Sequence, residues 1–197
     1  METERRLHDR WPPPSHTRLF GDLKQAPAPT PEDKNRVEVV SKQPLVDAER
    51  LLRDFLRRAY RRAVTDEDLT PVLARVKAKL DAKASFEQAM RVGYKEVLVS
   101  PHFLFLREKP GKLDDFALAS RLSYFLWSSM PDDELLTLAE KGKLHDPDVL
   151  RGQVERMLRS PKASAFTTNF AGQWLDLRKI DDTAPDPGLY PEYDDVL

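Results

Sequence analysis

The side chains best suited to chemistry crowd into one stretch, SRLSYFLWSSMPDDEL, from Ser120 to Leu135. Tyr124, Phe125 and Trp127 sit within four residues, Ser128 and Ser129 follow, and Asp132, Asp133 and Glu134 come directly after Pro131. Two carboxyls about 5–9 Å apart in a cleft would serve glycoside hydrolysis. A serine beside a base would serve acyl transfer. The spacing points to a plainer role. Proline favours the first position of a helix, and acids in the first turn complement its positive end by about 0.3–1 kcal/mol each. The same device recurs at Asp66, Glu67 and Asp68 after Thr65, and again between Glu192 and Asp195 after Pro191. The serines lack the GxSxG and SxxK surroundings of known nucleophiles. The stretch therefore reads as a helix-turn-helix corner. Leu118, Leu122, Phe125 and Leu126 form the core stripe of its first helix, Ser129 is able to cap the second, and Tyr124 and Trp127 are left to face something else.

Other groups that ionise or bind metal are scattered. The four histidines, His8, His16, His102 and His145, never stand three or four residues apart, and no HExxH or EF-hand spacing occurs. His102 follows Ser100-Pro101 and fits a turn histidine better than a ligand. A hydrolase acting on polysaccharide or ester, built from His102 with Asp132, Asp133 or Glu134, stands as an alternative. Arg50, Arg53, Arg57 and Arg61 step by three, four and four, so a helix carries them on one face, flanked by Arg58 and Arg62. Such a stripe suits anion or nucleic-acid binding. It equally suits pairing within the molecule, and the net charge of −1 gives no general attraction to polyanions. Phe166, Phe170 and Trp174 recur at helical spacing and read as core, although rings so placed also stack on sugars or bases.

The elements that must position these groups are helices. Seven of the 16 prolines fall in residues 1–44, where WPPPSH and QAPAPTPED read as an extended or disordered arm able to anchor through Leu7, Trp11, Leu19, Phe20 and Leu23. From Pro44 the pattern turns helical. Leu45, Ala48, Leu52, Phe55, Leu56 and Ala59 make one stripe over 45–62. Thr65 with Asp68, and Ser85 with Gln88, are capping boxes. Pro71 either bends the helix opened by Thr65 or starts another capped by Thr70. Phe86, Ala89, Met90, Gly93 and Val97 face inward, and Gly93 marks a close crossing, because glycine inside a helix costs about 1 kcal/mol relative to alanine. Asp114 or Asp115, Pro131, Asp146-Pro147 and Ser160-Pro161 start later helices, with Gly142 as a stop. Period-two alternation and a phosphate-binding glycine loop are both missing. The expectation is an all-α bundle of about seven or eight short helices: an arm over 1–43, a helical domain over 44–180 divided into 44–106 and 113–180, and an acidic incomplete segment over 181–197.

Totals limit the function. At 197 residues, with 40% hydrophobic and 33% charged side chains, the chain holds enough apolar material for a core if it is patterned. No apolar run of membrane-spanning length occurs, and the charged N-terminus is not followed by the apolar stretch of a signal peptide. Cysteine is absent, which excludes disulfides, thiolate metal sites and covalent c-type haem on these residues.

Several phrases taken together carry a resemblance: WPPPSHTRLFGD (11–22), FLRRAYRRAVTDEDL (55–69), VLVSPHFLF (97–105), LASRLSYFLWSSMPDDEL (118–135), GKLHDPDVLRGQVERML (142–158) and NFAGQWLDL (169–177). In this order they resemble a planctomycete-type family of large exported multidomain proteins, whose helical domains have no known function and whose chains also hold cytochrome-c-type haem domains. The resemblance implies an internal helical portion of that architecture, as from a truncated or split gene. It implies an exported or periplasmic setting, haem on domains lying outside these residues, and other domains or another chain as partners. It supplies no catalytic, cofactor or metal residues. The reading is a non-catalytic structural or interaction module, with Arg50, Arg53, Arg57, Arg61, Tyr124 and Trp127 as its possible interaction surface.

Overall fold

Side-chain caps start several of the helices where the sequence marks them. The computed structural model describes residues 12–28, 37–106, 108, 110–177, 186 and 188–189. Leu7, His8, Trp11, most of the acidic 181–197 segment and the expected helix start at Pro191 lie outside them. The fold is all-α apart from one small sheet, and the chain divides between Leu113 and Asp114 into two compact units.

In the first unit, α1 (Pro14–Phe20) and the antiparallel pair β1 (Gln25–Pro27) and β2 (Val37–Val39) precede α2 (Pro44–Tyr60), α3 (Asp66–Asp81), α4 (Phe86–Val99) and α5 (Pro101–Leu104). Both capping boxes form. The Thr65 hydroxyl accepts the Asp68 N–H at 3.3 Å while the Asp68 carboxylate accepts the Thr65 N–H at 3.0 Å. The Ser85 hydroxyl accepts from Gln88 at 3.3 Å, and the Gln88 side chain accepts the Ser85 N–H at 3.4 Å. The helix opened by Thr65 runs through Pro71 without a new start. All five residues expected to face inward on α4 are buried. A Cβ at position 93 would stand 2.8 Å from Val76 Cγ2 and 3.3 Å from Leu52 Cδ2, so the crossing of α4 over α2 and α3 requires glycine. Leu52, Leu56, Val76, Met90 and Val97 complete that core. On α2 the buried face takes Leu51 and Tyr60, while Leu45, in the first turn, is exposed beside α3.

The described part of the proline-rich arm, residues 12–28 and 37–43, forms a helix and a strand pair where its composition predicts extended or disordered chain. Pro14 sits at the start of α1, where its fixed φ favours a helix and its missing N–H costs nothing. Phe20 is buried with its ring edge-on to Tyr94, whose hydroxyl donates to the Leu19 carbonyl. Burial pushes the Tyr94 phenol well above its usual pKa, which keeps it a donor. The Val39 N–H donates to the Glu87 carboxylate at 2.8 Å, and Arg91 holds that carboxylate at 2.6 Å. Leu19, Phe20 and Leu23 are the anchors, as their apolarity predicts.

The second unit contains α6 (Asp115–Trp127), α7 (Asp133–Glu140) and α8 (Pro147–Leu158), capped by the side chains of Asp114, Asp132 and Asp146. Asp132, and not Ser129, opens α7. Gly142 takes the left-handed conformation after α7, with φ 62°. The buried face of α6 is Ala119, Ser120, Ser123, Leu126 and Trp127, rotated from the expected stripe so that Phe125 points outward. Two small hydroxyl side chains thus lie on the buried face, and Ser123 is satisfied by donating to the Ser129 carbonyl at 2.5 Å. Beyond Ser160 the chain stays helical. A 3-10 turn (Pro161–Ala163) leads into α9 (Ser164–Phe166), a π-turn (Thr167–Ala171) and α10 (Gly172–Trp174).

Candidate functional site

The arginines of the stripe find partners within their own unit, and Arg50 and Arg53 stay partly exposed in those pairs. Arg50 lies 3.4 Å from Asp47 and 3.7 Å from Asp22. Arg53 bonds Asp66 at 2.8 Å and Glu49 at 3.0 Å, and those two acceptors raise its pKa. Arg57 is engaged as well. Arg61 leaves the face altogether. Because α2 ends at Tyr60, Arg61 adopts a left-handed backbone, φ 54°, which turns its side chain inward to 5% exposure. Its guanidinium donates to the carbonyls of Ala59, His102, Phe103 and Phe105 at 3.0, 3.2, 3.1 and 3.3 Å. Periodicity placed Arg61 on the stripe; the helix end moves it off. Of the flanking residues, Arg62 grips Asp68 through two bonds of 2.7 Å, and Arg58 donates to the Arg18 carbonyl at 3.0 Å.

The corner after α6 is equally committed. Trp127, which the sequence leaves open between a neighbouring helix and an interaction surface, is buried: its indole N–H donates to the Met157 carbonyl at 2.9 Å, and Arg156 and Lys162 approach its ring at 5.6 and 4.8 Å. Two bonds of 2.7 and 3.1 Å join Arg156 to the Asp132 carboxylate, which also accepts the Leu135 N–H at 3.0 Å. Burial alone would push the Asp132 carboxyl up, but Arg156, the Leu135 N–H and the Lys162 charge together hold it below its ordinary pKa. Glu134 takes Gln153 at 2.8 Å, and Asp133 is also engaged. The Ser128 hydroxyl accepts from Asn169 at 2.6 Å. These residues fasten α7 to α8 and the following segment.

His102 lies in the first unit, in the first turn of α5, with its ring 5.1 Å from that of Tyr60. The carboxylates proposed to join it in hydrolysis lie in the second. His145 pairs with Asp115 at 3.0 Å, and the other Asp115 oxygen accepts the Leu144 N–H at 2.7 Å. Among the described residues, no group of three His, Asp or Glu side chains is placed to hold a metal ion.

What the second unit leaves uncovered is aromatic. Phe125 and Trp174 are 57% and 73% exposed, Phe170 is 44% exposed, and Phe166 is half-buried beneath them. Phe166 and Phe170 stack at 5.1 Å and 13°, Phe170 meets Trp174 at 5.8 Å, and Phe125 meets Phe166 edge-on at 5.1 Å. Tyr124, Leu175 and Leu177 are exposed too. The π-turn lies within this segment, a feature found often at functional sites. The ring spacing of four is visible in the sequence. Their exposure, and the outward turn of Phe125, are not.

The two units match two families of unknown function. Residues 47–108 match PSD5, protein of unknown function (DUF1595), and residues 113–197 match PSD4, protein of unknown function (DUF1592). No curated protein and no solved structure matches the chain. The DUF1592 match begins at the residue beside the structural division, so it coincides with the second unit. The aromatic face therefore lies within the residues that match DUF1592. The Arg61 clamp and His102 lie within the residues that match DUF1595. Neither family description names a reaction, a ligand or a partner. No helix of the described residues is long and apolar enough to cross a membrane.

Proposed function

We propose that the chain is a non-catalytic helical interaction module, and that the aromatic face of its second unit docks a folded protein domain. By the planctomycete-type resemblance, that domain is a c-type haem domain of a larger exported architecture. The observation that carries the reading is the exposed cluster of Phe125, Phe170 and Trp174. Large rings supply much of the energy of protein interfaces, and burying them yields about 25 cal/mol per Å² of apolar surface. The residues that catalysis would need support the same reading. The carboxylates of the corner cap and tie helices, and the arginines of the stripe are paired. Haem, in this reading, sits on the partner, since a chain without cysteine offers no covalent c-type attachment.

The test uses the full chain and a purified c-type haem domain from a protein in which both kinds of domain occur. Association is followed by sedimentation velocity at the haem absorbance. The chain is expected to co-sediment with the haem domain, and Phe170→Ser with Trp174→Ser is expected to weaken binding at least about tenfold, as loss of aromatic anchors does. Circular dichroism confirms that the double variant keeps its helices. Failure of the native chain to co-sediment, or equal binding by the double variant, overturns the reading.

A further inference from the structure

The aromatic face is carried by two separate elements. Phe125 stands on α6, while Phe166, Phe170 and Trp174 stand on the segment that follows Ser160. Rings at every fourth residue do not stay in line along a regular α-helix. With 3.6 residues per turn, each step of four overshoots a full turn by about 40°, so three such rings would splay over about 80°. A π-turn, closed by i→i+5 bonds, takes more residues per turn and removes that overshoot. The π-turn Thr167–Ala171 lies between the first ring and the last. Phe166 and Phe170 accordingly stack, tilted by only 13°, and Phe170 and Trp174 are tilted by 32°. Phe125 meets both phenyl rings edge-on, Phe166 at 5.1 Å and Phe170 at 6.3 Å.

A π-turn is a rare interruption, and the same residues could close into an α-helix instead. A polar tie from outside the turn opposes that. Asn169, the middle residue of the turn, donates its side-chain amide to the Ser128 hydroxyl at 2.6 Å. Ser128 ends α6 in left-handed backbone, φ 50°, a conformation unfavourable for any residue with a Cβ. It follows Phe125 by three residues, and Asn169 directly precedes Phe170. The bond therefore joins the element bearing Phe125 to the turn bearing Phe170. We infer that Ser128 and Asn169 are positioning residues: their hydrogen bond keeps the π-turn open and so sets the row of rings against Phe125. The consequence for binding rests on the docking reading, since rings that splay present a partner with a different surface.

The test uses the full chain with isotope-labelled phenylalanine and reads nuclear Overhauser cross-peaks between the Phe125 ring and the rings of Phe166 and Phe170. Asn169→Leu keeps the bulk, removes the donor and raises helix propensity. It is expected to weaken the Phe125–Phe170 cross-peak and to spare the Phe125–Phe166 one, because Phe166 precedes the turn. The melting temperature is expected not to fall, a combination that mere loss of stability would not give. Ser128→Ala is expected to act in the same way, and the double variant no more strongly than either single one, since both remove the same bond. Asn169→Asp lets the Ser128 hydroxyl donate to a carboxylate instead and is expected to restore the cross-peak. In co-sedimentation, Asn169→Leu is expected to weaken haem-domain binding about threefold to tenfold, the range of one neutral hydrogen bond, with Asn169→Asp near native. If the native chain does not bind the haem domain, the docking reading fails and the cross-peaks still decide the positioning role. A Phe125–Phe170 cross-peak unchanged in both Asn169→Leu and Ser128→Ala, or not recovered in Asn169→Asp, overturns the inference, as does native-strength docking when the cross-peak is lost.

Discussion

Arg61 illustrates how one backbone angle reassigns a side chain. Left-handed backbone costs a non-glycine residue about 1–2 kcal/mol, and here that cost places a guanidinium against four carbonyls at the ends of α2 and α5. Negative helix ends attract cations, so these carbonyls take the place of a carboxylate partner. Two explanations of the conformation predict opposite outcomes for Arg61→Gly. If position 61 were merely a turn, glycine would relieve strain and stabilise the protein. If the clamp matters, the carbonyls lose their donors and the protein loses about 2 kcal/mol despite the relief. Urea unfolding followed by circular dichroism is expected to show the loss. Nothing in the local sequence reveals this role, because a run of arginines at helical spacing gives no sign of where the helix will stop.

The elements themselves were more legible, and Asp68 shows why. It closes the capping box with Thr65 and grips Arg62, four hydrogen bonds within six residues of chain. Such short-range chemistry is written in the spacing, so the starts of α3, α4, α6 and α8 could be read directly. Arg62, followed by the Thr65 bonds, holds the Asp68 carboxyl at about 2, below its ordinary value of 3.8. A carboxyl depressed on folding stabilises the protein above the unfolded pKa, and that contribution disappears as pH falls through the folded one. The window therefore runs from about pH 4 down to about pH 2, and the contribution is about 2 kcal/mol. Asp68→Asn is expected to lower stability at pH 7 and to flatten the acid limb, as measured by urea midpoints between pH 7 and pH 2. Long-range contacts left no such trace. The arm is ordered by Tyr94 on Leu19 and Glu87 on Val39, pairs 75 and 48 residues apart. The buried face of α6 passes through Ser120 and Ser123, which hydrophobic patterning overlooks. That single rotation hid both the burial of Trp127 and the exposure of Phe125, and with them the candidate site.

At the scale of the whole molecule, each unit closes its own core. The first is built on Leu52, Leu56, Val76 and Met90, and the second on Leu126, Trp127, Leu135 and Met157. Separate cores predict separate unfolding, which the tryptophans make measurable. Trp127 is buried against Met157 and lies beneath Arg156 and Lys162, so its fluorescence reports on the second unit. With Trp11 and Trp174 replaced by Phe, Trp127 is the only indole left. In that background, Arg156→Met removes the charge that joins Asp132 to α8 and is expected to lower the fluorescence midpoint in urea. Arg61→Gly is expected to leave that midpoint in place while shifting the transition seen by circular dichroism. A fluorescence midpoint that follows Arg61→Gly would instead mean that the two cores unfold together. Independence also bears on the proposed function. A second unit that holds its fold without help from the first keeps Phe125 and Trp174 fixed for a partner, so docking should survive Arg61→Gly at temperatures where the first unit is already loosened.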